Sequence, residues 1–511
     1  MRAHFARAAA RERQAALRGE EPGSTRVGLI VAVDTGGTFT DCLATDLSGN
    51  LTRLKVLSNG TLRGRILTRL SSDTLAVELN WPTTEDIYAG YTITLASDRS
   101  VKAIVSSVDT GKGFITLQEP SKVRWTGETI ELTTGEEVPV FAARLLTDTR
   151  LSDPFPPIEM KLGSTRGTNA ILEKKGARTA LLTTKGFRDI LAIGNQQRPD
   201  LFALHVIKEE PLYTDVIEVE ERMASNGSII VPCSNKQFKA IIERLKKKKI
   251  DSVAISFLNS YKNPLHEQLA AKQLEDAGIR FISTSHTLSR QMRILQRTET
   301  TVVNAYLAPI IHNYVGRILN GLPGVELKIM TSAGSLAKAT EFHPKDSLLS
   351  GPAGGVVGAA VTAQLSGIDK LITFDMGGTS TDVSLYHGRF DYRYESRVGV
   401  LKILSPSLAI ETIAAGGGSV CSFDGYKLGV GPGSAGASPG PACYGAGGPL
   451  TITDVNLLLG RIDPKTFTIP LSVAKAEEAL EQLIRKVKRN IRRLKFFFHS
   501  HRSRTKKWRA Q

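Results

Sequence analysis

An eight-residue segment occurs twice in this chain and constrains its fold more than any other feature. The first copy is Asp34-Thr35-Gly36-Gly37-Thr38-Phe39-Thr40-Asp41 and the second is Asp375-Met376-Gly377-Gly378-Thr379-Ser380-Thr381-Asp382, with six of the eight positions identical. Each copy follows a short apolar run, residues 27–33 and 371–374, that is typical of a buried strand. Paired glycines permit a tight turn whose backbone N–H groups approach an anion, and threonine hydroxyls add donors. Two such turns facing each other predict a clamp for the phosphates of one nucleotide.

Three other known structures could contain a Gly-rich turn of this kind: a β-hairpin, a P-loop and a dinucleotide-binding turn. A single copy would fit an ordinary Gly-rich β-hairpin, whereas two copies that each leave a buried strand favour the phosphate-binding interpretation. Neither copy has the G-x-x-x-x-G-K-[ST] of a P-loop, or a G-x-G-x-x-G that opens a helix. The arrangement that fits is an α/β fold with duplicated actin-like (ribonuclease H-like) ATPase lobes, each contributing one turn.

Composition and charge exclude several classes of function. The chain has 511 residues and a net charge of +16, but residues 485–511 alone carry twelve Lys or Arg and no acid. Because the body of the chain is nearly neutral, we expect no nucleic-acid groove on it. The four cysteines form no C-x-x-C pair, and no apolar run is long enough for a membrane span. We therefore expect a cytoplasmic protein with no nucleic-acid or membrane partner.

The pattern of the chain predicts five segments. Residues 1–26 form an N-terminal extension, 27–204 an N-terminal lobe, 205–470 a second lobe, and 471–511 a truncated helix with a basic tail. Alternating apolar runs separated by Gly and Asp turns predict a small all-β domain inserted at 62–140. The Gly-rich run from Ser350 and Gly351 opens a predicted helix at 356–365, and it either holds a phosphate or allows close packing on a sheet.

Six segments resemble the hydantoinase A / 5-oxoprolinase family. They are D-T-G-G-T-F-T-D (34–41), R-G-T-N-A-I-L-E (166–173), S-G-P-A-G-G-V (350–356), D-M-G-G-T-S-T-D-V (375–383), A-G-G-G-S (415–419) and G-P-A-C-Y-G-A-G-G-P-L-T-I-T-D-V-N (440–456). Within this family, residues 186–191 and 193–202 are most similar to ATP-dependent 5-oxoprolinases. The resemblance implies an ATP-hydrolysing enzyme that phosphorylates the carbonyl of a cyclic amide, 5-oxoproline or a hydantoin, for ring opening.

The resemblance also implies roles for particular residues. Asp34 and Asp375 are the Mg²⁺ candidates, and Asp41 and Asp382 either orient the turns or a water or cap their own turns. The expected ATP phosphate contacts are Gly36, Gly37, Thr38, Thr40, Gly377, Gly378, Thr379, Thr381, Ser350 and Gly351. The candidates for contact with the substrate carboxylate or lactam are Arg166, Asn169, Gln197 and Arg198, each of which could equally be a surface or interface residue.

A hydantoinase-B-type partner, fused or separate, is expected for ring opening. Two alternatives to the amide hydrolase remain at this point: a catalytically inactive fragment or binding protein of the same family, and an actin-like small-molecule kinase. The first predicts no saturable ATP affinity, and the second predicts a stable phosphorylated product without a partner.

Overall fold

A computed structural model of the chain describes residues 28–489, apart from 80, 82–86, 121–127, 196–201, 203, 205–209, 400 and 468. The predicted extension 1–26 and most of the basic tail lie outside these residues. The described residues form two compact units. The α/β unit comprises 159–372 and 384–410, and the turn unit comprises 28–158, 373–383 and 411–489.

The turn unit begins with an antiparallel meander of three strands, Leu29–Thr35, Phe39–Asp46 and Leu51–Leu57. The register of the first pair sets Asp34 opposite Asp41 and Thr35 opposite Thr40. Val31, Ala32 and Val33 are almost fully buried, as their unbroken apolar run predicts. The meander therefore delivers the first turn at the end of a buried strand.

A closed six-stranded barrel follows the meander and occupies residues 62–133, within the range predicted for the all-β insertion. Its strands are Leu62–Arg69, Thr74–Leu79, Thr92–Leu95, Lys102–Asp109, Phe114–Leu117 and Thr129–Thr133. Alternation of apolar and polar residues turns one side of each strand inward, and Ile93, Ile115 and Ile130 have no exposed surface.

The remainder of the turn unit closes around a small apolar core that includes Leu57, Tyr444, Leu457 and Ile469. Its elements are helix Val138–Thr147, the hairpin of Ser419–Phe423 with Leu428–Ser434, the 3₁₀ turn Ala442–Tyr444, helix Ile452–Leu458 and a helix at 473–489. Thr451 and Asp454 form a capping box at the start of helix Ile452–Leu458.

The α/β unit contains a four-stranded parallel sheet whose central strands are Thr179–Thr184 and Ser252–Ser256, flanked by Asp215–Val219 and Phe281–Thr284. Both central strands are buried along their whole length. Phe238 and Leu274, from helices Phe238–Lys247 and Leu265–Asp276, share a core with this sheet. Helix Ile294–Gly321 packs against it through Val302 and Ala305.

Further elements complete the α/β unit. Its other strands are Ile158–Ser164, Glu326–Met330, Leu336–Lys338, Arg222–Met223, Ile229–Val231, Tyr392–Arg393, Ser396–Val398, Leu401–Ile403 and Ser407–Leu408. Its other helices are Arg166–Leu172, Ile190–Ile193, Ser285–Leu288 and Ser350–Leu365, with 3₁₀ turns Asn235–Gln237 and Pro344–Ser347. The predicted boundary between residues 204 and 205 falls inside this unit, and the assignment of domains by lobe stays a prediction.

Three strands, Lys370–Met376, Thr381–His387 and Ile410–Ile413, form a sheet in which Thr381–His387 is central. The ends that carry the second turn, residues 373–376 and 381–383, belong to the turn unit. Across the part of the chain that the structure describes, no helix has the length and apolar character that a membrane crossing requires. The architecture is mixed α/β, as predicted, while the duplication into actin-like lobes stays a prediction.

Candidate nucleotide-binding site

The two copies of the repeated segment form hairpin turns of the same geometry. In the first turn, residues 34–41, the N–H of Gly36 donates to the carbonyl oxygen of Phe39 at 3.0 Å. In the second turn, residues 375–382, the N–H of Gly377 donates to the carbonyl oxygen of Ser380 at 2.9 Å. Since these are equivalent positions in the repeat, the sequence identity corresponds to a shared backbone conformation.

The first and second turns lie against each other within the turn unit, and their contacts are reciprocal. A methyl group added at Gly37 would lie 2.8 Å from Oγ1 of Thr379. One added at Gly378 would overlap Oγ1 of Thr38 and lie 2.8 Å from its Cβ. The fourth residue of each turn thus faces the fifth residue of the other, as a local two-fold relation between the copies requires. Only glycine permits this approach on either side.

Asp34 is the acid of the two turns whose pKa departs most from its ordinary value. Its Oδ1 has almost no exposed surface and accepts no hydrogen bond from the described residues. Burial, together with the negative charges of Asp41, Asp375 and Asp382, raises the pKa of Asp34 from 3.8 to about 6, while Lys55 opposes this rise. Because acids of both turns contribute, the two turns share one electrostatic site.

The other three acids of the turns have different surroundings. Both carboxylate oxygens of Asp41 lie 2.8 Å from Nζ of Lys55 on the neighbouring strand. Asp382 accepts a hydrogen bond from the hydroxyl of Thr412 at 2.6 Å. Burial and the charge of Asp375 raise the pKa of Asp382, and the Thr412 hydrogen bond lowers it. Asp375 itself is exposed. The hydrogen bonds described for Asp41 and Asp382 therefore anchor each turn to its neighbouring strand.

A third segment, residues 415–419, contacts the second turn through hydrogen bonds, a role in the site that the sequence did not predict. The N–H groups of Gly417 and Gly418 donate to the carbonyl oxygens of Gly377 and Gly378 at 2.9 and 2.6 Å. A methyl group at Gly416 would lie 2.7 Å from the Gly378 carbonyl. Three successive glycines were the available signal, because such a run allows one backbone to approach another closely.

The predicted hydroxyl contacts divide into two groups. The hydroxyl of Thr40 shares a hydrogen bond with Ser58 at 3.0 Å, and that of Thr381 donates to the carbonyl oxygen of Ala415 at 2.5 Å. By contrast, Oγ1 of Thr38 is buried and has no hydrogen-bond partner among the described residues. The hydroxyl of Thr38 therefore has a hydrogen-bonding capacity that the described residues do not use, whereas Thr40 and Thr381 stabilise the turns.

The remaining predicted residues belong to the α/β unit or lie outside the described residues. The guanidinium of Arg166 stacks over the ring of Tyr314 at 4.2 Å, and Nδ2 of Asn169 donates to the hydroxyl of Thr165 at 3.4 Å. Ser350 donates through its hydroxyl to the carbonyl oxygen of Ser164 at 3.0 Å. The helix begins at Ser350, so the predicted start at residue 356 was wrong and the buried Gly351 lies in its first turn. Gln197 and Arg198 lie outside the described residues.

This fold and geometry define a class of protein: a mixed α/β protein with two matching turns that share one acidic site. Sequence comparison extends this description. Residues 144–278 match the family described as Hydantoinase/oxoprolinase N-terminal region, and residues 297–494 match Hydantoinase/oxoprolinase. The chain belongs to the hydantoinase/oxoprolinase family.

Named relatives and solved structures agree with this assignment. "5-oxoprolinase 1" of Arabidopsis thaliana is 41% identical over 358 residues, which span 63% of this chain and 28% of that protein. "Caprolactamase subunit alpha" of Pseudomonas jessenii is 37% identical over 315 residues, 58% of this chain and 45% of that protein. This chain therefore spans well under two thirds of either relative.

Two solved structures share the fold. A nucleotide-free acetone carboxylase, from a study of ATP-dependent acetone carboxylation, matches with a TM-score of 0.64 at 20% identity, covering 89% of this chain and 58% of that chain. The ATP-dependent caprolactamase from Pseudomonas jessenii matches with a TM-score of 0.57 at 28% identity, covering 90% of this chain and 61% of that chain.

Proposed function

We propose that this chain is part of an ATP-dependent cyclic-amide hydrolase, in which the first and second turns bind the phosphates of ATP and the substrate is 5-oxoproline or a hydantoin. The observation that carries the proposal is the reciprocal contact of the two turns, the first of which also holds an Asp34 Oδ1 that has no hydrogen-bond partner among the described residues. Relatives named 5-oxoprolinase and ATP-dependent caprolactamase support the class of reaction.

The residues present fit a magnesium ion held with ATP. A Mg²⁺ ion that bridges phosphates keeps several waters and takes only one or two carboxylates from the protein. The described residues contain no cluster of three acidic, His or Cys ligands, so a dedicated all-protein metal cage is not the arrangement expected here. Asp34, with its unpaired oxygen, and the exposed Asp375 would hold the ion. Bound there, Mg²⁺ would neutralise charge on the phosphates.

The chain's own groups would act chiefly by positioning. The hydroxyls of Thr38 and Thr379, at the contact between the turns, would donate to phosphate oxygens, together with glycine N–H groups. The close contact between the turns would have to open to admit the phosphates. The hydrogen bonds from Ala415–Ser419 would keep the second turn in shape while this happens.

The reaction overcomes the poor reactivity of an amide by activating its oxygen. The lactam carbonyl oxygen attacks the terminal phosphorus, the bond from phosphorus to the bridging oxygen breaks, and ADP leaves. Water then adds to the carbonyl carbon and the C–N bond opens, which gives a free amine and an acyl phosphate. A second water attacks the acyl carbon, and the former carbonyl oxygen departs with inorganic phosphate, so that both oxygens of the new carboxylate come from water. We expect a hydantoinase-B-type partner to take part in ring opening, in keeping with a relative that is named as a subunit.

Oxygen labelling tests this proposal. The protein, mixed with a hydantoinase-B-type polypeptide, is supplied with Mg·ATP and 5-oxoproline labelled with ¹⁸O at the ring carbonyl. The label is expected in inorganic phosphate, as measured by mass spectrometry. Asp34→Asn should abolish the signal, while Asp46→Asn, at the far end of the strand that leaves the first turn, should retain it. Unlabelled phosphate with labelled open product would contradict the mechanism, and a stable phosphorylated product would favour the kinase.

A further inference from the structure

We propose that a pocket beside the barrel in the turn unit binds a small organic dianion, of the dicarboxylate or phosphomonoester class. The pocket has a volume of about 350 Å³ and is lined by the strand Leu51–Leu57, the start of the barrel and residues 465–467 and 469. This volume suits a small metabolite. The site is separate from the proposed ATP phosphate contacts, none of which lines it.

Charge gives the first argument for an anionic ligand. Four cationic side chains, Arg53, Lys55, Arg63 and Lys465, line the pocket, and none of the described residues that line it is acidic. Arg53 and Lys465 are exposed and could turn toward a ligand. Of these four, Lys55 is paired with Asp41 and Arg63 with Glu131, and the positive charges of Arg53 and Lys465 would attract an anion to the pocket.

The hydrogen bonding of Arg63 also favours an anionic ligand. This side chain is 2% exposed, and its Nε and Nη2 donate to one oxygen of Glu131 at 3.1 and 2.8 Å. Its Nη1 has no hydrogen-bond partner among the described residues. A buried guanidinium nitrogen without an acceptor is costly, so a ligand oxygen that it could reach would be bound favourably.

The aromatic residues of the pocket suit a compact carbon skeleton between the charges. Trp81 and Phe467 both line it. Trp81 is fixed because its Nε1 donates to the carbonyl oxygen of Arg63 at 2.8 Å, and Phe467 packs edge-on against Phe39 at 6.1 Å between ring centroids. Arg63 and Trp81 come from the barrel segment, so the insertion supplies part of the recognition surface.

Lys55 connects this pocket to the first turn. It lines the pocket, pairs with Asp41, and lies over the ring of Phe39 at 5.3 Å. An anion in the pocket would compete with Asp41 for Lys55. Removing the Asp41 charge should therefore strengthen anion binding about 2- to 5-fold, the range expected for one exposed ion pair.

Fluorescence of Trp81 tests the site without nucleotide or catalysis. Trp125→Phe and Trp508→Phe leave Trp81 as the single tryptophan of the chain. This protein is titrated with succinate and with inorganic phosphate at constant ionic strength, and succinamide serves as the uncharged match. A saturable change with the dianions and none with succinamide is expected. No saturation, or an equal response to succinamide, would overturn the proposal.

Substitutions in the pocket, made in the same single-tryptophan protein, test whether succinate binds in this pocket. Arg53→Ala and Lys465→Ala remove exposed side chains, and each should weaken succinate binding about 10-fold, the loss expected for one charge-assisted hydrogen bond. Lys102→Ala, an exposed barrel lysine that does not line the pocket, should leave the affinity unchanged. If the two pocket variants bind succinate as the control does, the site assignment is wrong.

Discussion

Replacing Asp34 by Asn should stabilise the protein while abolishing its proposed function. Burial raises the pKa of this carboxyl from 3.8 to about 6, so the ionised form is penalised in the folded state. That difference corresponds to about 3 kcal/mol at neutral pH. A neutral side chain of nearly the same shape avoids the penalty, so Asp34→Asn should raise the free energy of unfolding by up to about 3 kcal/mol.

The sign of the pH dependence follows from the raised pKa. The folded protein holds the Asp34 proton more tightly than the unfolded chain, so the contribution of Asp34 to wild-type stability is greatest below pH ~4 and falls as pH rises through about 6. The advantage of the variant should therefore shrink to about half its full value at pH ~5. Mg·ATP should stabilise the wild type and leave the variant unaffected.

Urea unfolding at the two pH values, with EDTA present, measures this difference. Trp81 fluorescence in the single-tryptophan background reports on the turn unit, to which both Trp81 and Asp34 belong. Asp41→Asn is the matched control, since Asp41 is exposed and paired with Lys55, and it should change the free energy of unfolding by less than about 1 kcal/mol. A variant that is less stable than wild type at neutral pH would refute the reasoning about Asp34.

Three further substitutions test other parts of the structure. Gly378→Ala places a methyl group against Thr38 and should lower the free energy of unfolding by about 1–3 kcal/mol, with partial recovery on adding Thr38→Ala, as followed by thermal unfolding. Glu131→Gln leaves the buried Arg63 guanidinium without its counter-charge and should cost about 3–5 kcal/mol in urea unfolding. Burial raises the pKa of Glu299 from 4.5 to about 7, so this group makes stability fall between those pH values by about 3 kcal/mol. Glu299→Gln should flatten that part of the pH profile, and an unchanged profile would exclude the assignment.

The sequence was most informative where a pattern repeats or alternates. Two copies of one octapeptide predicted two equivalent turns, because identical glycine positions impose the same local backbone. Alternating apolar residues likewise predicted β structure between residues 62 and 140, and the described barrel occupies 62–133. Such patterns can be recognised in a single sequence because the local structure that they predict depends on residues only a few positions apart.

Contacts between residues far apart in the sequence could not be predicted in the same way. The run of glycines at 416–418 permits a close backbone contact, but it does not indicate that the N–H groups of Gly417 and Gly418 bond to Gly377 and Gly378, about forty positions earlier. The helix start at Ser350 was also missed, because a run of glycines normally weakens a helix. Packing of Ala353, Val356 and Val357 against Leu408 and Ile410 overrides that preference.

The pairing of Asp41 with Lys55 in the candidate site was likewise not predictable from the sequence. The acid was predicted either to orient its turn or a water or to cap its own turn, and these roles stay predictions. The sequence did not indicate that the strand register places it beside a lysine fourteen residues on. Cross-strand neighbours depend on register, which a single sequence specifies weakly at exposed positions.

Calorimetric titration with Mg·ATP tests most directly whether the first and second turns form one nucleotide site. We predict one molecule bound per chain, and loss of binding in both Asp34→Asn and Asp375→Asn, because each turn supplies half of the site. Binding that persists in either variant, or no saturable binding to the wild type, would contradict the shared site.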